Sequence, residues 1–368
     1  METNQNRNFE HSIYQHTPEG NAEAVAWAFV NKNEMVKFPY KFEEIGDDEV
    51  RANVTYTGLC HSDVLTVRSL WGATIYPLAP GHEIIGVVSK VGANVKDFKP
   101  GDKVAFGVQR DCCDCCKFCT VDQENLCMDV DDKLTYGVHW GGYSTHIQQP
   151  SKFFFKIPEG LDEKKAAPLL CAGITVYYPI KQYVKTGDKT AVFGIGGLGH
   201  LAVQFLAKLG YHVTAFTSSL DKKDFILSLG ATEVVNYNNV REMKSHADKY
   251  DFIINTLPVE DGFDEFLNVA APRSNFVQVG IPDISKKINF SCLSLVFKEV
   301  KIIGSIIGTR KVINEMLDFC VKENIYPMVE EFSFEDFPKA FDRLENGRPK
   351  FRCVVNVEEY SKNNNLFI

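Results

Sequence analysis

The sequence lacks the features that would direct the chain to a membrane, to secretion or to nucleic acid. No apolar run approaches the roughly 20 residues needed to span a bilayer. The start of the chain contains neither the apolar core of a signal peptide nor the Arg/Ser-rich, acid-poor pattern of a transit peptide. With 48 Asp and Glu against 40 Lys and Arg, the net charge of −8 provides no basic surface for nucleic acid. We therefore expect a cytoplasmic protein with no nucleic-acid or membrane partner.

The length of the chain predicts two domains, because 368 residues exceed the roughly 100–200 residues of a typical single domain. The composition, 45% hydrophobic and 24% charged, is that of a well-packed globular protein. Cysteine is plentiful, with 11 in the chain. Thiols normally stay reduced in the cytoplasm, and an odd number of them argues against a complete disulfide framework. A disulfide scaffold is therefore the less favoured explanation of the cysteines.

A loop at residues 112–119, CCDCCKFC, holds five cysteines, and Cys127 follows after TVDQENL. The most regular set has the spacing C-x2-C-x2-C-x7-C and consists of Cys113, Cys116, Cys119 and Cys127. Such spacing lets four thiolates converge on one tetrahedral zinc ion. A set built on Cys112 and Cys115 is less regular, so we interpret these two as spectators. A disulfide loop and a redox-active C-x-x-C pair remain as alternatives.

The pattern of predicted strands and helices divides the chain into two regions. Residues 22–150 consist of short β-like runs such as NVTYTGL, EIIGVVSKVG and GGYSTHIQQ, which favours a compact β-rich domain. From residue 188 onward, strand-like runs such as KTAVFGI and HVTAFTSS alternate with helix-like runs such as LGHLAVQFLAKLG, KKDFILSLG and FDEFLNVAAP. This alternation predicts an α/β fold with a doubly wound parallel sheet. A helical segment, VINEMLDFCVKENI, and a final strand, KFRCVVNV, end the pattern.

The segment GIGGLG at residues 194–199 lies between a predicted strand and a predicted helix. Gly194 permits a tight turn, Gly196 lets the backbone approach a pyrophosphate, and Gly199 allows close packing of helix and strand. Free amide groups at the start of the helix would hold the phosphates. The coenzyme-binding residues predicted here are Gly194, Gly196, Gly197, Leu198 and Gly199. The alternative is a glycine-rich turn in a sheet that binds no ligand.

The coenzyme is predicted to be NADP rather than NAD. An NAD site usually places an acidic residue on the ribose about 20 residues after the glycines, at the end of the second strand. This strand ends in FTSSLDKK, whose hydroxyl and ammonium groups suit a 2′-phosphate, and the candidate residues are Ser218, Ser219, Lys222 and Lys223. Asp221 is close enough to keep NAD as an alternative. In another interpretation the serines cap the next helix and the lysines are only solvated.

Four further candidate metal ligands are dispersed along the chain. GLCHSD contains Cys60, and PLLCAGIT contains Cys171. GHE contains His82 and Glu83. Two cysteines and a histidine form one of the ligand combinations of catalytic zinc, with the fourth position left for substrate, water or a movable carboxylate. Taken singly, each of these residues is more often a packed core residue than a ligand.

These motifs together resemble the zinc-containing medium-chain alcohol dehydrogenases. The string GHEIIGVVSKVGANV at residues 81–95 matches the family signature G-H-E-x2-G-x5-G-x2-V in full. GLCHSD, GGYSTHI, PLLCAGITVY and GSIIGTRK are similar to the cinnamyl alcohol dehydrogenase subfamily, and the likeness covers about residues 22–357. The resemblance implies a GroES-like catalytic domain, formed by residues 1–172 and 311–368, around a Rossmann NADP-binding domain at residues 173–310.

The resemblance also implies two zinc ions per chain. The catalytic zinc would be bound by Cys60, His82 and Cys171, with Glu83 as a movable fourth ligand that exchanges with substrate. The structural zinc would be bound by Cys113, Cys116, Cys119 and Cys127. Asp63 would orient His82, as the usual partner of a ligating imidazole does.

Further roles follow from the same resemblance. Ser62 would pass the proton of the substrate hydroxyl, and His61 and Thr175 would lie beside the coenzyme. Relatives often carry a histidine shortly after C-H-[ST]-D that relays this proton to solvent, and here Leu65 takes that place, with Leu70 where many relatives have Asp. Because leucine neither accepts nor donates a proton, we expect aldehyde reduction to outpace alcohol oxidation near neutral pH.

The implied reaction is hydride transfer between NADP(H) and an aldehyde/primary alcohol pair. Trp71 and Trp140 could line an apolar pocket for aromatic or allylic substrates, although either could be part of the core. Two other classes remain open, namely a zinc-retaining NADPH reductase of a conjugated double bond or imine, and a non-catalytic structural homologue. The family usually forms dimers by joining Rossmann sheet edges, so we expect a homodimer joined through VKIIGSI.

Overall fold

Two large β-sheets organise the fold, and the chain leaves the first to build the second before it returns. The computed structural model describes residues 22–130, 133–135, 139–258, 262–347 and 349–367. The strands are β1 (Ala24–Asn31), β2 (Glu34–Tyr40), β3 (Glu49–Leu59), β4 (Ile84–Val91), β5 (Lys103–Phe106), β6 (His146–Pro150), β7 (Phe154–Lys156), β8 (Lys189–Phe193), β9 (His212–Thr217), β10 (Glu233–Asn236), β11 (Tyr250–Asn255), β12 (Ala270–Gln278), β13 (Lys301–Gly304), β14 (Val329–Ser333) and β15 (Arg352–Asn356).

Eleven α-helices connect or cover these strands in the described part of the chain. They are α1 (His61–Val67), α2 (Glu163–Ala166), α3 (Ala172–Tyr183), α4 (Gly199–Lys208), α5 (Lys223–Ser228), α6 (Val240–Ser245), α7 (Phe263–Leu267), α8 (Cys292–Lys298), α9 (Arg310–Glu323), α10 (Phe337–Glu345) and α11 (Glu358–Asn363). Within the same residues, no helix has the length and apolar character that a bilayer crossing requires.

The first large sheet combines strands from both ends of the chain. Its order is β14-β15-β3-β4-β5-β7, and β6 pairs with β3 as the seventh strand. Strand β15 runs antiparallel to β3, with Cys353 opposite Leu59. The final strand predicted from KFRCVVNV is therefore confirmed, and it returns the chain to the sheet that its N-terminal part began.

The second large sheet has six strands in the order β10-β9-β8-β11-β12-β13. All its pairings are parallel. Numbered along the chain, this is the order 3-2-1-4-5-6 of a dinucleotide-binding doubly wound sheet. The predicted α/β fold class is confirmed. In such sheets ligands bind outside the carboxyl ends of the strands where the strand order reverses, and here that point lies between β8 and β11.

One predicted helix is shorter than its sequence pattern suggested. FDEFLNVAAP was expected to be helical throughout, but α7 ends at Leu267 and β12 begins at Ala270. The prediction is wrong for the second half because Ala270 pairs with Tyr250 at the start of β11. Sheet pairing and burial outweigh helix propensity at such a position, since propensity is only a weak preference.

A continuous apolar core joins the two sheets. It includes Cys60 and Ile85 from the first sheet region and Val192 and Val213 from the second. Helix α3 packs between them, and its Tyr177 ring lies 5.0 Å from the ring of Phe205 in α4. The predicted domain boundaries, near the start of α3 and the start of α9, stay a prediction.

Candidate metal centres and coenzyme site

Four buried side chains, all candidate ligands from the sequence, meet at the ends of three elements. Cys60 lies between β3 and α1, His82 and Glu83 immediately precede β4, and Cys171 immediately precedes α3. Their ligand atoms all lie within 4.8 Å of one another. The two sulfur atoms are 3.9 Å apart, which is much longer than the roughly 2.05 Å of a disulfide bond. The fold thus brings together residues that are more than a hundred positions apart in sequence.

The carboxylate of Asp63 fixes the histidine of this group. Its Oδ1 lies 3.0 Å from Nδ1 of His82, and both side chains are fully buried. Oδ2 accepts a hydrogen bond of 2.6 Å from the hydroxyl of Tyr143. The backbone amides of Cys60 and Gly81 donate to the same carboxylate, each at 3.2 Å. Because Nδ1 is engaged by Asp63, Nε2 is the nitrogen that a metal would use.

The donor set and its electrostatics fit a zinc ion. Zinc favours thiolate and imidazole ligands in tetrahedral geometry. A hydrogen bond from Cys171 holds the pKa of the Cys60 thiol well below its usual range, which favours the thiolate that a metal requires. Burial raises the pKa of Glu83 to about 7. The Oε2 atom of Glu83 is buried and has no hydrogen-bond partner among the described residues. A carboxylate oxygen that binds a cation is expected to have this environment.

Arg352, the first residue of β15, was not predicted from the sequence. Its guanidinium forms an ion pair with Oε1 of Glu83, and the two side chains are 5% and 0% exposed. Arg352 also borders the glycine loop, since a Cβ added at Gly197 would lie 3.1 Å from its Nη1. The sequence signal was a single arginine among the apolar residues of KFRCVVNV, whose meaning emerges when β15 pairs with β3. Arg352 therefore joins the candidate metal ligands to the candidate coenzyme loop.

The cysteine loop forms a second group of candidate metal ligands. The ligand atoms of the four predicted residues lie within 4.8 Å of one another, and these residues are Cys113, Cys116, Cys119 and Cys127. The sulfur of Cys119 lies 3.6 Å from that of Cys116 and 3.9 Å from that of Cys113. None of the 11 cysteines, all in the described part of the chain, forms a disulfide. Cys112 and Cys115 lie outside the group, and Cys112 instead contacts Asp114 at 3.0 Å.

The glycine loop has the backbone that close approach of a phosphate requires. Gly194, the residue after β8, has φ of +83°, a conformation that glycine adopts without strain. A Cβ at Gly199 would lie 1.9 Å from the carbonyl oxygen of Gly194, so helix and strand pack too closely for any side chain. Among the described residues, no atom outside the neighbouring backbone lies within 4 Å of a Cβ placed at Gly196, which leaves this backbone open. Leu198 then precedes the first residue of α4.

The residues predicted to select NADP follow the carboxyl end of β9. Ser218, Lys222 and Lys223 are exposed there, and Ser219 is half-buried. Lys222 places its ammonium 5.1 Å from the ring centre of Phe351. The hydroxyl of Ser219 accepts a hydrogen bond of 3.1 Å from the backbone amide of Asp221. The serines and lysines thus lie on the coenzyme edge of the sheet, and Asp221 is exposed beside them.

The predicted proton-relay and coenzyme residues lie on α1 and α3. The hydroxyl of Ser62 is 3.5 Å from the sulfur of Cys60, and His61 is exposed at the start of α1. Thr175 is half-buried one turn into α3, and its amide donates to the carbonyl of Cys171 at 2.9 Å. Both elements therefore begin at a candidate zinc ligand.

The two leucines at the relay positions differ in environment. Leu65 is 6% exposed and packs into the protein, whereas Leu70 is 36% exposed. The backbone carbonyl of Leu70 accepts a hydrogen bond of 3.2 Å from the amide of Ile284. This contact places Leu70 where the first sheet region meets the coenzyme sheet region.

The two tryptophans also differ. Trp140 is 3% exposed and packs edge-on against Phe38 and Tyr40, with ring centres 5.1 Å apart in each pair. It belongs to the core, which is one of the two alternatives that the sequence left open for it. Trp71 is half-buried, and its indole nitrogen donates to the carbonyl of Pro282 at 3.4 Å. Of the two tryptophans, Trp71 therefore remains the candidate for the substrate cleft.

A 3-2-1-4-5-6 parallel sheet, a Cys/His/Cys group at its border and a four-cysteine loop define a two-domain, zinc-dependent dehydrogenase. Comparison with family models agrees with this class. Residues 46–159 match the alcohol dehydrogenase GroES-like domain, and residues 197–322 match the zinc-binding dehydrogenase domain.

Individual relatives narrow the assignment. The aldehyde reductase AdhA of Synechocystis sp. is 36% identical over 340 residues, which cover 92% of this chain and 99% of the relative. A cinnamyl alcohol dehydrogenase structure from Sorghum bicolor has a TM-score of 0.85 at 32% identity, covering 91% of this chain and 97% of the other. The Helicobacter pylori enzyme, in complex with NADP(H), has a TM-score of 0.83 at 32% identity, with coverages of 91% and 98%. The chain belongs to the zinc-containing medium-chain alcohol dehydrogenase family and, within it, to the cinnamyl alcohol dehydrogenase-like subfamily.

Proposed function

We propose that the chain is a zinc-dependent oxidoreductase that transfers a hydride between NADP(H) and an aldehyde/primary alcohol pair, with aldehyde reduction favoured. The observation that carries this proposal is the position of Arg352 between Glu83 of the first ligand group and Gly197 of the glycine loop. The proposed sites of substrate activation and of coenzyme binding are therefore adjacent. The named activities of the relatives, aldehyde reductase and cinnamyl alcohol dehydrogenase, support the same reaction class.

In this proposal the residues of the chain hold and orient the reactants. Cys60, His82 and Cys171 would hold the catalytic zinc, and Asp63 keeps the imidazole in place through Nδ1. When bound, zinc supplies the Lewis acid that polarises the carbonyl oxygen, and the nicotinamide supplies the hydride. The hydroxyl of Ser62, close to Cys60, delivers a proton to the developing alcohol. The four side chains of this ligand group are buried, which keeps water away from the reacting atoms.

The substrate is proposed to be aromatic or allylic. Trp71 offers an aromatic surface at the border between the two sheet regions, where its indole contacts the segment that contains Pro282. Cinnamyl-type substrates are named for several relatives. A flat conjugated aldehyde would bury its ring against such a surface, and aromatic contacts of this kind contribute beyond simple area burial.

The chain is further proposed to act as a cytoplasmic homodimer. Strand β13 is the edge of the six-stranded sheet, and an edge presents unpaired backbone groups that can pair with another strand. The neighbouring helix α8 has no buried residue, and its Leu293, Val296 and Phe297 are 65%, 73% and 80% exposed. Pairing of two β13 strands would extend the sheet and cover this apolar face. The reduced thiols required for metal binding suit the cytoplasm.

The reaction class is tested with NADPH and three substrates, namely cinnamaldehyde, a cyclic enone and a cyclic iminium. We expect cinnamaldehyde to be reduced fastest and the product to be cinnamyl alcohol with its double bond intact, because the Cys/His/Cys group fits the zinc that polarises a carbonyl. Coenzyme oxidation and product analysis measure this. Faster reduction of the enone double bond or of the iminium would assign the chain to the alternative reductase class.

Two zinc ions per chain with distinct roles are expected, because the fold forms two separate ligand groups. Metal analysis of the purified protein should give close to two zinc ions per chain. Cys119→Ser should lower thermal stability, because a structural site contributes folding free energy outright. Cys60→Ser should abolish turnover while the fold persists. Cys115→Ser, which changes an exposed cysteine outside both groups, is the matched control, and one zinc in a fully metallated preparation would contradict the assignment.

NADPH should be preferred over NADH, because Ser218, Lys222 and Lys223 are exposed at the end of β9. Ser218→Asp should erase or invert the preference, since a carboxylate there repels the 2′-phosphate. The ratio of kcat/KM values for the two coenzymes measures the effect. Asp221→Asn is the control and should leave the ratio nearly unchanged. Better use of NADH by the unmodified enzyme would make Asp221 the ribose ligand instead.

Alcohol oxidation should be slow near neutral pH and should improve as pH rises, because buried Leu65 cannot relay the proton that Ser62 accepts. General acid–base help is typically worth roughly 10²–10⁴-fold. Leu65→His should raise the ratio of oxidation to reduction at pH 7, whereas Leu65→Asn, polar but without a titratable group, should not. Steady-state profiles from about pH 6 to 10 measure this. Fast neutral oxidation that the histidine leaves unchanged would show that water already replaces the relay.

A further inference from the structure

A short turn that follows the cysteine loop forms hydrogen bonds with a segment of the coenzyme sheet region that is distant in sequence. The turn is the 3₁₀ helix Glu124–Leu126, which lies directly before Cys127. The carboxylate of Glu124 accepts hydrogen bonds from the backbone amide of Arg310 at 2.6 Å and from its Nε at 3.2 Å. The side-chain amide of Asn125 donates to the carbonyl of Ile306 at 3.2 Å. Two adjacent residues of the turn therefore hold both ends of the segment 306–310, which we call the β13–α9 segment.

The β13–α9 segment has a backbone that needs such support. Ile307 has φ of +32°, and a positive φ is a genuine outlier for a β-branched residue. Its side chain is only 5% exposed, so packing holds it in place. A Cβ added at Gly308 would lie 2.7 Å from Cδ1 of Ile174, which shows how closely the segment packs on α3. Strained conformations of this kind persist only when the surroundings over-determine them.

Burial, charge and the dipole of helix α9 all favour the hydrogen bonds between Glu124 and Arg310. The side chain of Glu124 is 4% exposed, and its carboxylate accepts two hydrogen bonds, both of them charge-assisted. Arg310 is the first residue of the 14-residue helix α9. A carboxylate at a helix N-terminus is favoured by the helix dipole and satisfies an amide that has no partner within the helix.

The β13–α9 segment also lies where the coenzyme is expected. It follows β13, whose carboxyl end is on the same edge of the sheet as the glycine loop after β8. Dinucleotides bind in the crevice outside this edge. Ser305, the residue before the segment, has a buried hydroxyl without a hydrogen-bond partner among the residues described. A buried polar atom of this kind calls for a ligand or water partner.

We propose that Glu124 and Asn125 are positioning residues for the coenzyme, through which the cysteine loop keeps the β13–α9 segment in its strained, binding-ready conformation. The four-cysteine site then has a second role besides stability, because order in the loop supports affinity for NADP(H). The inference rests on the proposed function in that it assumes NADP(H) binding at this edge.

The test is a titration of the full-length, metal-loaded protein with NADPH, followed by coenzyme fluorescence. Glu124→Ala should raise the Kd for NADPH about tenfold, which corresponds to about 1.4 kcal/mol at 25 °C. Glu124→Gln, which keeps an acceptor for the amide of Arg310, should recover part of the affinity. Arg310→Ala, which keeps the backbone bond, should have a smaller effect than Glu124→Ala. Glu335→Ala, the loss of a 60% exposed glutamate that pairs with Lys37, is the control and should leave the Kd unchanged.

Zinc content and thermal unfolding of each variant separate positioning from general damage. If Glu124 is a positioning residue, the Glu124→Ala protein should be folded and should contain two zinc ions. It should bind NADPH more weakly, and its KM for the aldehyde at saturating coenzyme should be unchanged. A Kd within about twofold of the unmodified protein, or about 0.4 kcal/mol, would overturn it. If Glu124→Ala does not fold, Asn125→Ala decides by the same criterion, because it removes the other hydrogen bond between the turn and the β13–α9 segment, the one to the carbonyl of Ile306. Absence of NADPH binding by the unmodified protein would overturn the proposed function as well.

Discussion

The buried ion pair between Glu83 and Arg352 is the interaction on which the rest of the site depends. Two opposite charges in an apolar interior are costly to desolvate, and either one left alone would cost about 3–5 kcal/mol. Arg352 can reach Glu83 because β15 pairs with β3. The pair therefore requires that the C-terminal strand, the first ligand group and the glycine loop adopt their positions together. A metal ion beside Glu83 would add a further positive charge to the same balance.

Much of the fold could be predicted from the sequence because its signals are local. The alternation of strands and helices predicted the parallel sheet. Gly194, with its positive φ, and Gly199, whose Cβ would meet the carbonyl oxygen of Gly194, have steric reasons that lie within the segment 194–199 itself. The second half of FDEFLNVAAP was mispredicted because its state depends on pairing with Tyr250, which no local pattern reveals. For Trp140 the sequence left core and substrate pocket open for the same reason, since its aromatic neighbours come from a distant strand.

In the candidate site, too, local sequence signals were predictive and long-range contacts were not. The spacing of the cysteine loop and the signature around His82 placed candidate ligands that the fold does bring together. Arg352, Tyr143 and Glu124 were invisible to that reasoning, since each acts on a partner at least 80 residues away in the sequence. Residues that contact the ligands of a site without being ligands themselves follow no regular spacing in the sequence. Their roles are readable when the tertiary contacts are known.

The interleaving of chain ends in the seven-stranded sheet has a consequence for how the protein is made. The parallel sheet uses strands from one stretch of sequence, β8 to β13, and can form as soon as that stretch has left the ribosome. The other sheet places β15 between β14 and β3, so the end of β3 that pairs with β15, residues 56–59, must wait for nearly the whole chain to be synthesised. Contacts of such long sequence separation slow folding. During translation, the edge of β3 that pairs with β15 therefore stays uncovered longer than the strands of the parallel sheet, and unpaired strand edges of this kind are aggregation-prone surfaces on which chaperones act.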